Sequence, residues 1–130
     1  MAGTLNKILC IEDEADIQKV AKLALETVGG LEVLICASGQ EAIDKAPGFQ
    51  PDIILLDVMM PGMDGPDTLE ALRELPEIKD TPAVFLTAKA MPAEVERYKK
   101  LGALDVIPKP FDPMTLADQV KEIWNRHAGG

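Results

Sequence analysis

Five polar residues fall where chemistry could be built. Glu12 and Asp13 follow the apolar run KILCI, Asp57 closes IILLD, Thr87 closes AVFLT, and Lys109 follows DVIP. An aspartate that ends such a run and leads straight into VMMPGMDG is either a turn-forming cap or a working carboxylate. Glu12 and Asp13 taken alone could simply cap a following helix. A single threonine or a Lys-Pro step says little by itself, so the joint pattern carries the meaning. Two unit negative charges about 4 Å apart at an effective dielectric of ~20 repel by on the order of 4 kcal/mol. Three carboxylates gathered at one edge therefore need offsetting cations. Lys109 offers one positive charge, and a hard divalent ion offers two. Carboxylate, carbonyl and water oxygens suit Mg²⁺, which commonly sits beside phosphate oxygens. Thr87 can donate a hydrogen bond to such an oxygen. A nucleophilic carboxylate, a metal held by two more, a hydroxyl and an amine make a set suited to phosphoryl transfer through an aspartyl phosphate.

That set needs a scaffold that brings the five residues together. The runs 7–11, 32–37, 52–57, 83–87 and 105–108 are short, apolar and β-rich, which predicts strands. Between them lie helical patterns. Ile17, Val20, Ala21, Ala24, Leu25 and Val28 recur at threes and fours, the spacing of an inward helix face, and Gly29-Gly30 ends the pattern. Ser38 caps a short helix carrying Ala42, Ile43 and Ala46, which Pro47-Gly48 closes. Leu69, Leu72 and Leu75 line a third helix, stopped by Pro76. Pro92 opens a fourth, with Val95, Tyr98 and Leu101 inward and Gly102 at its end. Asp112-Pro113 reads as the N-cap and first turn of a fifth, with Leu116, Val120, Ile123 and Trp124 inward. Five strand–helix units with near-continuous apolar strands predict an α/β fold, a doubly wound five-stranded parallel sheet covered on both faces. Ligands of such sheets bind outside the carboxyl ends of the strands, where the winding direction switches. All five polar residues fall at those ends.

Bulk properties narrow the function classes. A chain of 130 residues suits one domain, 1–130, with a core of about 5–127. Thirteen basic against 22 acidic residues leave a net charge of −9, which argues against a nucleic-acid-binding surface. No apolar run is long enough to span a membrane, and the N-terminus lacks signal-peptide character. Ala2 excludes N-myristoylation, which needs Gly there. Cys10 and Cys36 sit in apolar runs and are expected as two reduced thiols rather than a disulfide, which places the chain in the reducing cytoplasm. Met59, Met60 and Met63 read as packing, since hard Mg²⁺ does not choose sulfur. His127 is expected to be solvated, Trp124 to pack, and Gly129-Gly130 to fray.

Taken together, KILCIEDE, DIILLDVMMPGMDG, VFLTAKA and VIPKPFDPMTL make the chain resemble, over nearly its whole length, the receiver domain of bacterial two-component response regulators. The resemblance implies strand order 2-1-3-4-5, with five helices. It implies Asp57 as the phosphoacceptor, and Mg²⁺ held by Glu12, Asp13, Asp57 and the backbone carbonyl of Met59. Thr87 and the Ala88 amide would hydrogen-bond the phosphoryl group and Lys109 would pair with it. Pro110 would follow a bend that is often a cis peptide, and Met59 and Lys89 would occupy positions that tune dephosphorylation. The implied partners are a sensor histidine kinase or histidine phosphotransfer protein and an unidentified downstream protein, with no nucleic acid or membrane bound by this domain. The implied catalysis is confined to the chain's own phosphorylation and dephosphorylation. Two positions depart from the pattern. Glu12 stands where many members carry Asp, and Val106 where many carry Tyr or Phe. Val106 is expected to leave signalling to the β4–α4 loop around Lys89–Met91 and to the helix bearing Tyr98. A Mg²⁺-dependent phosphatase of the haloacid-dehalogenase type would need a second Asp two residues after the nucleophile, where this chain has Met59. A flavin-binding protein would need a Ser/Thr/Gly-rich loop where this chain has the acidic EDEADI. A degenerate scaffold receiver is disfavoured because every phosphorylation residue is present. Residues 112–127 are taken up by the last helix. A stand-alone receiver and a receiver from a longer regulator both remain open.

Overall fold

A computed structural model describes residues 5–88 and 90–129; Ala2, Lys89 and Gly130 lie outside the described residues, and with them the readings that rest on them. The elements run β1 (Lys7–Ile11), α1 (Ala15–Lys22) continuing into a π-helical segment (Leu23–Val28), β2 (Glu32–Cys36), α2 (Gly39–Phe49), β3 (Ile53–Asp57), α3 (Gly65–Arg73), β4 (Ala83–Thr87), α4 (Pro92–Lys100), β5 (Asp105–Pro108) and α5 (Leu116–Gly129). The strands form one sheet in the order β2-β1-β3-β4-β5, every pair parallel. Successive strand side chains point to opposite faces. Ile8, Cys10, Ile53, Leu55, Val84 and Leu86 thus build a core with α1, its π-helical extension and α5. Leu9, Ile11, Ile54, Leu56 and Phe85 build a second core with α2, α3 and α4. Helices on both faces explain why the strand runs are apolar without alternation. The same alternation separates the two buried, free thiols. Ile11, not Cys10, pairs with Cys36, so the two cysteines face opposite cores.

Several helix boundaries and faces differ from expectation. In the first helix Ala21, Ala24 and Leu25 are buried, but Val20 and Val28 are exposed. A π-helical turn closes its hydrogen bonds one residue later than an α-turn, so the 3.6-residue phase is lost beyond Lys22. Lys121 Nζ donates to the Gly29 carbonyl at the far end, 2.9 Å away, tying α5 to this helix. α2 does not stop at Pro47-Gly48 but runs to Phe49, closed by Gln50 in the left-handed region at φ 54°. Pro47 lies in the last turn and forgoes its own N–H bond to the Ile43 carbonyl. Ser38 caps α2 as expected, accepting from the Glu41 amide at 3.1 Å. α3 ends at Arg73, short of Leu75 and Pro76; Ile78, in the turn beyond, is fully buried and was not among the expected core residues. Leu101 closes α4 exposed rather than inward. α5 begins at Leu116, three residues later than a helix started at Pro113, with Asp112 instead capping the preceding turn through the Met114 amide at 2.9 Å. It runs on through Gly129, where fraying was expected.

Candidate functional site

β1 and β3 are neighbours, yet β1 leads into a helix on one face and β3 into a helix on the other. The switch point therefore lies between them. Glu12 directly follows β1 and Asp57 ends β3. The Glu12 amide still donates to the Cys36 carbonyl (2.9 Å), and the Val58 amide to the Leu86 carbonyl (3.0 Å), so both residues are held by the sheet ladder. The start of α3 closes over this edge, with the Gly65 amide donating to the Val58 carbonyl at 2.9 Å. A Cβ at Gly65 would meet the backbone of Asp57 and Val58, so only glycine lets α3 approach this closely.

Glu12 is fully buried, Asp57 is 3% exposed and Thr87 2% exposed. Carboxylate oxygens of Glu12, Asp13 and Asp57 lie within 4.8 Å of one another. Lys109 Nζ reaches into the group, 2.7 Å from Glu12 Oε1 and 3.2 Å from Asp57 Oδ1. Glu12 Oε2 accepts the Glu14 amide at 3.0 Å, and Asp57 Oδ1 accepts the Met59 amide at 3.3 Å. Asp13 Oδ1 is buried and has no hydrogen-bond partner among the described residues. Burial pushes the Glu12 carboxyl up from the usual carboxylate range, while the Lys109 ammonium and the Glu14 amide pull it back and the Asp57 charge adds to the rise. For Lys109 burial acts downward, but the bond to Glu12 and the two carboxylate charges outweigh it, and the ammonium is held more tightly than usual. Among the described residues, the Lys109 ammonium thus faces three carboxylates. The residual negative charge and the orphaned Asp13 oxygen fit a hard divalent cation held by oxygen ligands.

The structure brings Glu12, Asp13, Asp57 and Lys109 into contact range. Thr87 ends the neighbouring strand, one residue beyond Leu86, the register partner of Asp57, with Ala88 next in the chain. The Lys109 amide donates to the Thr87 carbonyl at 2.8 Å, and the Lys109–Pro110 peptide is cis, as the resemblance implied. Of the methionine loop, Met60 packs, but Met59 is 71% exposed, contrary to the packing expected of it. Met59 follows Asp57 by two residues and offers its backbone to the site. Two supports were not foreseen. The Gln18 side chain donates to the Glu12 carbonyl at 2.6 Å, and Gly65 admits α3. Only an i, i+6 relation to Glu12 could have pointed to Gln18. Beside Lys109, an apolar cavity of about 440 Å³ opens between Ile17 and Val20 on α1 and Pro110 and Phe111 after β5, so Val20 lines a cavity rather than the core.

Comparisons with known proteins agree with this fold. Residues 8–121 match the response regulator receiver domain. The transcriptional regulatory protein CpxR of Escherichia coli is 36% identical over 122 residues, 94% of this chain and 50% of that protein. YvrH of Bacillus subtilis, also a transcriptional regulatory protein, is 40% identical over 114 residues, 88% of this chain and 47% of that protein. The chain thus spans about half the length of these curated relatives. Among solved structures, the chemotaxis response regulator CheY4 of Vibrio cholerae superposes with a TM-score of 0.84 at 33% identity, covering 92% of this chain and 99% of that one. The receiver domain of Francisella response regulator 1452 gives 0.81 at 28% identity, covering 94% and 98%.

Proposed function

The chain belongs to the response regulator receiver domain family, and from that premise we propose that Asp57 is its phosphoacceptor, with Glu12, Asp13, Asp57 and the Met59 carbonyl as the ligands of Mg²⁺. Members of this family are phosphoacceptor signalling modules. The observation that carries the assignment is the Lys109 ammonium set between Glu12 and Asp57 at the switch point, beside the unpartnered Asp13 oxygen.

In the reading we put forward, an Asp57 carboxylate oxygen attacks the phosphorus of a phosphohistidine. The new O–P bond forms as the P–N bond breaks, and the donor imidazole leaves. The near-complete burial of Asp57 excludes bulk water and strengthens local electrostatics. Lys109, already within 3.2 Å of Asp57, neutralises the charge that arrives with the phosphoryl group. The Thr87 hydroxyl and the Ala88 amide donate to its oxygens. Glu12, Asp13, Asp57 and the Met59 carbonyl would hold Mg²⁺, which would supply charge neutralisation for the transfer. Glu12 carries one methylene more than Asp; its Oε2 rests on the Glu14 amide and its backbone on Gln18.

Receiver domains act in signalling and meet histidine kinases or phosphotransfer proteins. For this chain the reading assigns one domain over 1–130, a phosphohistidine protein as donor, an unidentified downstream protein as target, and catalysis only of its own phosphorylation and dephosphorylation. Among the described residues no helix is long and apolar enough to cross a membrane; the reading places the chain in the cytoplasm. Incubation with acetyl phosphate and Mg²⁺, followed by intact mass measurement, tests the site. The expected result is one phosphoryl adduct that disappears in Asp57→Asn and in EDTA. An adduct that persists in either case overturns the assignment.

A further inference from the structure

α4 buries one side chain against the sheet. Of its residues Pro92–Lys100, only Tyr98 is buried, with 2% of its surface exposed. Its ring meets Phe85 of β4 edge to face, 5.4 Å between centroids and 80° between planes. From outside, the Arg97 guanidinium lies 4.9 Å from the Tyr98 ring centre, itself paired with Glu94 at 3.1 Å. Phe85 and Thr87 are two residues apart on one strand, so their side chains share a face. Val106 sits beside Phe85 in register on β5. It is small and stiff at χ1, and does not fill the space that the tyrosine ring occupies.

We propose that Tyr98 is the coupling residue of this receiver: its ring, docked on Phe85, holds α4 against the sheet and releases or reseats that helix when the end of β4 moves. The proposal rests on Asp57 being the phosphoacceptor. A phosphoryl group on Asp57 recruits the Thr87 hydroxyl at the end of β4. That movement is passed two residues back to Phe85 and, through the ring pair, to Tyr98 on α4. A helix anchored by one buried side chain has few contacts opposing a second arrangement, and low local anchoring marks the segments that open first. Coupling needs an element with two arrangements that both sites bias, and α4 meets that requirement through one ring pair.

Tyr98 is the only tyrosine and Trp124 the only tryptophan of the chain, which makes the test selective. The protein is labelled with fluorotyrosine and followed by fluorine NMR, first with Mg²⁺ alone and then with Mg²⁺ and beryllofluoride. The expected result is a displaced or second resonance with beryllofluoride in the wild type and no change in Asp57→Asn. Tyr98→Leu should still form the acetyl phosphate adduct, yet hydrogen exchange across 92–101 should be fast with or without beryllofluoride, while α5 stays protected. Tyr98→Phe, which keeps the ring, should retain the beryllofluoride-dependent exchange change in 92–101 and serves if the leucine variant does not fold. An adduct in the wild type with an unmoved tyrosine resonance overturns the coupling role and leaves the phosphoacceptor assignment standing. Failure to form any adduct removes both. Loss of the response in Tyr98→Phe also overturns the role, because the hydroxyl rather than the ring would then carry it.

Discussion

α4 and α5 flank the same two strands from opposite faces and are held in very different ways. α5 places Leu116, Ala117, Val120 and Ile123 in the core, its Lys121 reaches the Gly29 carbonyl, and Arg126 pairs with Asp105 of β5 at 3.3 Å. α4 buries Tyr98 alone, and the ion pair it makes among the described residues, Arg97–Glu94, is internal. Full burial of a large apolar side chain stabilises by roughly 1.5–3 kcal/mol. The α5 face therefore carries much of the global stability, and the α4 face is free to respond. The proposed phosphoacceptor ends β3, whose neighbour β4 passes beneath both helices. A change at that edge meets a rigid face on one side and a yielding one on the other.

The largest effect expected is a contrast between two truncations. Leu116→Ala should cost about 2–5 kcal/mol, as large-to-small core substitutions do. In urea unfolding its midpoint should fall with an unchanged slope. Tyr98→Ala should instead lower the slope, because a native state with α4 already detached exposes less new surface on unfolding. Equal slopes in the two variants would break the comparison.

Metal provides the next test. Mg²⁺ bound only to the folded state should raise global stability by roughly 1–3 kcal/mol at saturation. Hydrogen exchange in α5, which reports global unfolding, should slow accordingly, whereas exchange in α4 should hardly change if that helix opens locally. Asp13→Asn should raise the metal-free melting temperature by relieving repulsion around the unpartnered Asp13 oxygen. A substantial drop would argue that no repulsive acid pocket exists.

Alkaline titration reaches both faces at once. Burial, with the nearby Glu12 charge adding to it, pushes the Cys10 thiol up to about 12; burial, aided by Glu41, pushes Cys36 up to about 11. An unfolded thiol titrates near ~8.5. The protonated thiols therefore contribute stability that is fully present below that value and is lost as pH rises through the folded values. Unfolding free energy should begin to fall above about pH 9, and substitution of both cysteines by alanine should flatten that onset relative to each variant's own neutral value. Both thiols should resist alkylation at neutral pH in the native protein. Prompt alkylation of Cys10, on the α5 face, would contradict the tight core assigned to it.

The smallest effect should come from Arg126→Ala. Its guanidinium side chain is 63% exposed, and exposed ion pairs contribute about 0–1 kcal/mol. A loss comparable to that of Leu116→Ala would mean that charge, not apolar packing, anchors α5.

The sequence by itself determined the five strands, their covering helices and the polar residues at the strand ends. Those features are local: an apolar run of five residues, a cap, a glycine stop. Glu12, Asp13, Asp57 and Lys109 were legible as a group because a parallel sheet necessarily brings the carboxyl ends of its strands to one edge. Tertiary structure decided what depends on neighbours far along the chain. Helical spacing placed Val20, Val28 and Leu101 inward. The π-helical turn, the cavity beside Lys109 and the end of α4 left them outside, since a face is buried only where another element covers it. Ile78, outside every expected helix or strand, became core because the chain packs it into the cluster that holds Leu72 and Ala83. Likewise, the closer contact of Lys109 with Glu12 than with Asp57, and the single ring that fastens α4, follow from packing distances that no periodicity encodes.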